Sequence, residues 1–279
     1  MDLKVTRYAI DDAIATITLA RPHRMNAWTG RMHTEYRSLL EQAENDPAVR
    51  VIVLTGEGRA FCVGADSKAL EGHVERGGYD PGTPPDLARP GYGIRPEFDA
   101  DFAFQFGLGK PVIAAVNGPA AGVGLVMACY ADLRFAVPGA KLTTAHGRLN
   151  LPAEYGLSWL LPRLIGLSAA NDLLLSSRVF LTDEALELGL VNGLFAPDDL
   201  LPHTYAYARR LIETVSPASV ATTKRQIYTD LHRDAASSVE EANRLLEQMM
   251  TEPDYREAIA AYTEKRPARW ARRAPRKGG

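Results

Sequence analysis

The sequence predicts an α/β fold in roughly its first two thirds and a helical region after it. Two β-branched apolar runs, at 49–56 (VRVIVLTG) and 111–118 (PVIAAVNG), show no polar alternation, which is typical of strands buried on both faces. Helix-like segments separate these runs, and that rhythm predicts a largely parallel sheet with right-handed crossovers. After about Leu200 no run has the character of a strand.

The elements before and after these runs follow from hydrophobic periodicity. Residues 13–19 (AIATITL) alternate apolar and polar positions, as expected of a strand with one covered face. From Thr29 to Glu44 apolar residues recur at three- and four-residue steps, which predicts an amphipathic helix that ends before Asp46 and Pro47. Weaker strands are predicted at 133–137 (LRFAV) and 190–195 (LVNGLF).

The C-terminal region is predicted from helix-start signals. Ser216 and Pro217 place proline at a first helical position, and the SSVE sequence at 237–240 has the spacing of a capping box. We therefore divide the chain into a core domain at 1–200 and a C-terminal helical region at 201–279. Within the core, 71–101 is rich in Gly, Pro and charge, so it is either a functional loop or plain disorder.

Composition restricts the class of partner. The chain has 279 residues, 46% of them hydrophobic, and 32 basic against 34 acidic residues. This balance gives no support to nucleic acid or an anionic membrane as partner. Two cysteines are too few for a disulfide framework or a cysteine-built metal site. No run reaches the roughly 18 apolar residues of a spanning helix, so we expect a soluble, cytoplasmic protein.

Two loops suggest a chemical function. The stretches at 60–70 (AFCVGADSKAL) and 117–132 (NGPAAGVGLVMACYAD) both follow a predicted strand and both contain small residues. Each could direct a main-chain N–H at one oxygen, and two such donors form an oxyanion hole. The alternative is two tight turns packed for geometry alone. A dinucleotide fingerprint is disfavoured because Met127 occupies the position of its last glycine.

Six stretches together resemble the crotonase, or enoyl-CoA hydratase/isomerase, superfamily in order and spacing. They begin with RPHRMNAW and GEGRAFCVGADSKAL and end with AYTEKRPARW, and they lie at 21–28, 56–70, 110–136, 151–166, 181–195 and 261–270. The resemblance implies a spiral of strand-strand-helix turns whose C-terminal helices assemble a homotrimer, often paired into a homohexamer. It also implies an acyl-CoA thioester as substrate, with coenzyme A as part of that substrate and no separate cofactor.

The resemblance also implies roles for individual residues. The thioester oxygen would accept hydrogen bonds from the backbone N–H groups of Ala65 and Val123, where the family commonly has glycine at the second position. The other positions implied in substrate binding are Arg24, Met25, Asp66, Ser67, Lys68, Gly122, Tyr262 and Lys265.

The acid or base is less clear from the sequence. Hydratases of the family use two glutamates, but the corresponding positions here are Val126 and either Ala145 or His146. Glu154, in PAEYG, resembles the single glutamate of an isomerase branch, and one carboxylate can move a proton between C2 and C4. Glu154 could instead cap or ion-pair the following helix. His146 is a second candidate, as a base or hydrogen-bond donor.

Other chemistry has little support. The sequence contains no HExxH motif, so no metal is predicted, and Ser158 lacks a GxSxG elbow. Cys62 is interpreted as a buried structural thiol, and Asp132 as a structural residue at the turn into the next strand. We favour double-bond isomerisation over two-glutamate hydration. Thioester hydrolysis, decarboxylation, carbon–carbon cleavage and a non-catalytic acyl-CoA-binding protein remain alternatives.

Overall fold

The computed structural model describes residues 1–77 and 82–271, and its main element is a six-stranded sheet in the order β1-β2-β3-β4-β6-β9. Strand β1 is antiparallel to β2, and the other neighbours are parallel. A second, three-stranded sheet has the order β5-β7-β8. The strands are β1 (Thr6–Asp11), β2 (Ile14–Leu19), β3 (Val51–Gly56), β4 (Val112–Val116), β5 (Ala120–Ala121), β6 (Leu133–Ala136), β7 (Lys141–Thr143), β8 (Phe180–Leu181) and β9 (Gly193–Leu194).

Helices connect these strands and form the C-terminal region. They are α1 (Gly30–Asn45), α2 (Ser67–Arg76), α3 (Val123–Cys129), α4 (Leu157–Ile165), α5 (Leu167–Ser176), α6 (Thr182–Glu187), α7 (Pro197–Thr214), α8 (Pro217–Asp230), α9 (Ala235–Met249) and α10 (Pro253–Glu264). None of the helices in the described ranges combines the length and apolarity needed to cross a bilayer.

The central strands are buried on both sides, as their sequences predict. Every residue of β3 and β4 is buried. Along β3, Ile52 and Leu54 belong to the larger hydrophobic core, which includes the apolar face of α1. Val51 and Val53 belong to a second core on the other face of the sheet, against α7. Two covered faces explain why this strand has no polar alternation.

The structure corrects three sequence expectations. Strand β1 was not predicted, because it is an edge strand in which only Thr6 is buried and apolar periodicity is absent. The segment at 71–101 is not loop throughout, since α2 extends to Arg76. The capping box at 237–240 is wrong: the cap of α9 is Asp234, whose carboxylate accepts the Ser237 N–H at 3.0 Å.

Asp132 joins the sheet to the C-terminal helices. Its carboxylate accepts the Val112 N–H at 2.7 Å, the Lys224 ammonium at 2.7 Å and the Tyr228 hydroxyl at 2.7 Å. The Lys224 side chain is only 6% exposed, and the carboxylate compensates its buried positive charge. The expectation of a structural role for Asp132 is met by these contacts, which hold the beginning of β4 and helix α8 together.

Replacing Asp132 by alanine is expected to destabilise the fold strongly. Removing one partner of a buried ion pair costs about 3–5 kcal/mol, because the other charge remains buried without compensation. Denaturant unfolding measures the loss. Asp172→Ala is the matched control, since Asp172 is half exposed in its pair with Arg178 and such pairs contribute about 0–1 kcal/mol. Equal losses in the two variants would contradict this account of Asp132.

Candidate active site

The first predicted oxyanion loop is fixed by hydrogen bonds on both sides of Ala65. The Trp28 N–H donates to the Gly64 carbonyl at 2.7 Å, and the Asp66 N–H donates to the Trp28 carbonyl at 2.9 Å. The peptide N–H of Ala65 lies between these two bonds and is directed away from Trp28. It has no acceptor among the residues that the structure describes. The loop therefore holds one rigid backbone donor that is not used internally.

Gly64 allows the sharp turn before this donor. Its φ is +97°, a backbone conformation that residues with a Cβ rarely adopt. An added Cβ would also lie 3.2 Å from the Ala121 carbonyl oxygen. The chain therefore turns at Gly64 because glycine tolerates both the positive φ and the close approach of the second loop.

The second loop lies directly against the first. The Ala121 N–H donates to the Cys62 carbonyl at 3.0 Å. A Cβ added to Gly122 would lie 3.9 Å from the Gly64 Cα, and one added to Gly124 would lie 2.1 Å from the Cys62 carbonyl oxygen. The two loops thus meet through backbone atoms, and glycine at 124 is required for that contact.

Helix α3 begins in this second loop and supplies another backbone donor. Val123 is its first residue, after the N-cap Gly122, so the Val123 N–H has no acceptor within the helix. The Val123 side chain is 5% exposed and packs in the larger core. Valine is compatible with a donor role because only its backbone N–H needs to face the site.

The thiol beside these loops is unsuited to nucleophilic chemistry. Cys62 is fully buried, and burial raises the pKa of its thiol to about 12. A thiol with such a pKa is protonated at neutral pH and unreactive. The interpretation of Cys62 as a structural residue agrees with this environment.

Glu154 lies in a 3-10 turn, Glu154–Gly156, immediately before α4. Its side chain is half-buried, and burial raises the pKa of the carboxyl, while nearby His146 acts in the opposite direction. Tyr130, at the C-terminal end of α3, donates its hydroxyl to the Tyr155 carbonyl at 2.8 Å. The turn that contains Glu154 is therefore attached to the helix that begins with Val123.

The positions that the resemblance assigns to the hydratase glutamates, Val126 and either Ala145 or His146, contain no carboxylate. Val126 is 1% exposed within α3. His146 is 7% exposed, and its carbonyl accepts the Leu151 N–H at 3.0 Å. The electrostatic effect of His146 lowers the pKa of Glu154, against the larger effect of burial. The two residues predicted as acid or base candidates therefore interact electrostatically.

The residues predicted to bind coenzyme A in and near the first oxyanion loop have different environments. Arg24 is exposed, and Met25 has a left-handed φ of 50°. Ser67 and Lys68 are exposed at the beginning of α2. Asp66, in contrast, is buried, and its carboxylate lies 2.9 Å from the Arg21 guanidinium.

The Asp66 carboxylate is occupied within the protein. Burial raises the pKa of Asp66, but hydrogen bonds from Arg21 and from the Lys68 N–H outweigh burial and lower the pKa overall. Asp66 therefore stabilises the loop. Any contact between its carboxylate and the substrate would be additional to the hydrogen bonds that it accepts from Arg21 and Lys68.

Sequence reasoning missed two residues that support the first loop. Asn26 is fully buried at a φ of 56°. Its amide N–H groups donate to the carbonyls of Glu57 at 3.0 Å and Ala60 at 2.8 Å. The backbone N–H of Arg21 donates in turn to the Asn26 side-chain oxygen at 2.9 Å. Both residues lie within the RPHRMNAW stretch, and their place in that family motif was the only feature of the sequence that could have indicated this role.

Tyr262 and Lys265 lie at the end of α10. Tyr262 is 86% exposed, and Lys265 is the C-cap residue of that helix, with a φ of 53°. Within the described ranges neither side chain forms a hydrogen bond or ion pair with the other predicted binding residues. Nor do any three His, Cys, Asp or Glu side chains in those ranges form a group that could hold a metal ion.

Comparisons with known proteins show extensive similarity. The family model described as enoyl-CoA hydratase/isomerase matches residues 9–273. The chain is 39% identical over 263 residues to "Probable enoyl-CoA hydratase EchA12" of Mycobacterium tuberculosis, covering 91% of this chain and 87% of that protein. It is 32% identical over 269 residues to the 1,2-epoxyphenylacetyl-CoA isomerase of Escherichia coli, covering 92% and 94%.

A solved structure shares the architecture over nearly the whole chain. The crystal structure of an enoyl-CoA hydratase from Mycobacterium tuberculosis is similar with a TM-score of 0.82 and 28% identity, covering 96% of this chain and 99% of that one. The fold class predicted from the sequence is therefore confirmed.

Proposed function

The chain belongs to the enoyl-CoA hydratase/isomerase family of enzymes, which act on acyl-CoA thioesters, and from this premise we propose that it shifts the double bond of an enoyl-CoA. In this proposal, Ala65 and Val123 hold the thioester oxygen and Glu154 transfers the proton. One observation carries the proposal: two loops in contact each present a backbone N–H without an internal acceptor, and a half-buried carboxyl is attached to the same helix.

The oxyanion hole lowers the barrier to forming an enolate. When a proton leaves C2, the electron pair moves toward the thioester oxygen, where negative charge develops. Backbone donors that are already fixed stabilise that charge without reorganising. The hydrogen bonds around Ala65 and the helical start at Val123 provide such fixed positions.

Glu154 completes the reaction as both base and acid. Its carboxylate takes the proton from C2 of a 3-enoyl-CoA, and the resulting dienolate is held by the two N–H groups. The same carboxyl then returns the proton to C4, so that the double bond moves from C3=C4 to C2=C3. A carboxyl with a raised pKa suits this exchange because its carboxylate is a stronger base toward the C2 proton.

Two features favour isomerisation over hydration. Val126 is apolar and buried where a hydratase of the two-glutamate type needs a carboxylate, so the chain lacks one of the two groups that activate and add water. In addition, one relative at 32% identity is named as an isomerase of an acyl-CoA. A relative named as a probable enoyl-CoA hydratase is more similar, at 39% identity, and the reaction must therefore be measured directly.

Binding of coenzyme A is proposed to use the exposed cations near the first loop. Arg24 and Lys68 are exposed and lie close in sequence to the Arg21–Asp66 pair, where they could bind phosphate groups. Tyr262 and Lys265 would contribute from the C-terminal helices, in the same subunit or a neighbouring one. No further cofactor is needed for the proton transfer, because coenzyme A enters with the substrate.

A homotrimer, or a hexamer of two trimers, is proposed as the assembly. Large apolar side chains on the C-terminal helices are exposed in the single chain, and burial of such residues drives association. They are Ile227, Val239, Leu246, Met250 and Ile259. Light scattering of the purified protein would measure the mass of the assembly.

The function is tested by supplying 3-enoyl-CoA and 2-enoyl-CoA thioesters separately and analysing products by mass spectrometry. Isomerisation leaves the mass of the 3-enoyl substrate unchanged and creates absorbance from conjugation with the thioester. Hydration of the 2-enoyl substrate adds the mass of one water. Faster hydration than isomerisation, or release of free coenzyme A as the main event, would contradict the proposal.

The pH dependence provides a separate prediction. Glu154 must be ionised to accept the C2 proton, so kcat/KM should fall as the pH is lowered through its pKa. Burial raises this pKa, and the midpoint of the acidic limb is therefore expected above the ordinary value of 4.5. A pH–rate profile checks this, with circular dichroism at each pH to verify folding. A midpoint at or below 4.5 in folded protein would contradict the assignment.

A further inference from the structure

The buried hydroxyl of Tyr130 lies where the helix of the oxyanion loop meets the turn of the proposed base. Tyr130 is the C-cap residue of α3 and is 3% exposed. Its hydroxyl donates to the Tyr155 carbonyl at 2.8 Å. Its ring packs against Phe106 with 5.1 Å between the ring centroids. The side chain is thus held by packing, and its one polar atom contacts the residue after Glu154.

The turn that receives this hydrogen bond has an uncommon backbone. Tyr155 and Gly156 are consecutive left-handed residues, with φ values of 50° and 70°. A non-glycine residue in this region is strained and persists only where its surroundings determine it. A Cβ added to Gly156 would lie 2.9 Å from the Tyr130 hydroxyl oxygen. The turn is therefore fitted closely around this hydroxyl.

Helix α3 links the two halves of the proposed site. Its seven residues begin with Val123, the second oxyanion donor, and end immediately before Tyr130. All seven are buried, so the helix is packed on every side. A hydrogen bond from Tyr130 therefore fixes the Glu154 turn relative to the Val123 N–H.

We propose that Tyr130 is a positioning residue, whose hydroxyl sets the place of the Glu154 carboxylate relative to a thioester held at Val123. This inference rests on the function proposed above. Burial also raises the pKa of Tyr130 to about 12, so the hydroxyl remains a donor throughout the range in which the enzyme would be assayed.

The test is the Tyr130→Phe variant, which keeps the ring and removes only the donor. We expect kcat for isomerisation to fall by about 10- to 100-fold, because misplacing a catalytic group by about 1 Å can cost two orders of magnitude. KM should change by less than about twofold, since Tyr130 is not proposed to touch coenzyme A. With the turn loosened and Glu154 more hydrated, the acidic limb of the pH profile should move to lower pH.

Tyr228→Phe is the matched control. It removes the hydroxyl of a partly buried tyrosine, which donates to Asp132 at 2.7 Å and lies outside the Glu154 turn. If Tyr130→Phe loses kcat and shifts the pH profile while Tyr228→Phe does neither, the positioning role is supported. If both variants lose activity only in proportion to a lowered melting temperature, the inference is overturned.

Glu154→Gln separates failure of this inference from failure of the proposed function. If Glu154→Gln is inactive while Tyr130→Phe retains full kcat and an unchanged pH profile, the base assignment stands and Tyr130 has no positioning role. If Glu154→Gln retains full activity, the proposed function is wrong, and the positioning role is overturned with it.

Discussion

Replacing Glu154 by glutamine is expected to lower kcat for isomerisation of a 3-enoyl-CoA by about a thousandfold, within the 10²–10⁴ range typical of a general acid or base. Glutamine has the same shape but cannot take the C2 proton, so the chemical step loses its base while the binding surface is kept. KM should therefore change little. Both parameters are measured by steady-state kinetics with 3-enoyl-CoA as substrate, following the absorbance of the conjugated 2-enoyl-CoA product.

His146→Gln is the informative companion to this variant. His146 lies near Glu154 and opposes the rise of its pKa, so its replacement should alter the pH profile and reduce kcat by less than about tenfold. The reverse pattern, with Glu154→Gln active and His146→Gln inactive, would transfer the acid–base role to the histidine and contradict the mechanism.

Deleting the N–H of Val123 is expected to reduce kcat by about 10²- to 10³-fold, the usual cost of one oxyanion-hole donor. Val123→Pro does this specifically, because proline has no N–H. Proline is well tolerated at the first position of a helix, and Val123 is the first residue of α3. The preceding Gly122 has no Cβ to clash with the proline ring. The variant should therefore fold, which circular dichroism and thermal unfolding can verify.

Val123→Ala is the control for side-chain loss. It keeps the backbone donor and removes two methyl groups from a buried position. We expect some loss of stability and nearly full kcat. If Val123→Pro and Val123→Ala are equally active, the Val123 N–H does not hold the reacting oxygen.

Much of the fold was predictable because the central strands are buried on both faces and α1 has a clear apolar face. Strands β3 and β4 and the helices at Thr29 and Ser216 follow directly from those patterns. The edge strand β1 and the two- or three-residue strands β5, β7 and β8 do not, since too few of their residues are buried to create a period. At the start of α9, both Asp234 and Ser237 are residue types that can cap a helix. In the structure Asp234 is the N-cap, and its carboxylate accepts the Ser237 N–H.

The sequence predicts candidate residues for the site but not the contacts that support them. The motifs indicated Ala65, Val123 and Glu154, because their spacing follows a known family pattern. The bond between Arg21 and Asp66 and the attachment of Tyr130 to the Glu154 turn depend on distances between segments far apart in the chain. Only the folded structure places those segments together, so sequence patterns could not have shown them.

A crystal structure with a bound, unreactive acyl-CoA thioester analogue tests the central claim most directly. The account predicts that the thioester oxygen lies about 2.7–3.1 Å from the backbone nitrogens of both Ala65 and Val123, with the Glu154 carboxylate facing C2 and C4. A thioester oxygen bound elsewhere, or a different side chain facing those carbons while Glu154 points away, would contradict it.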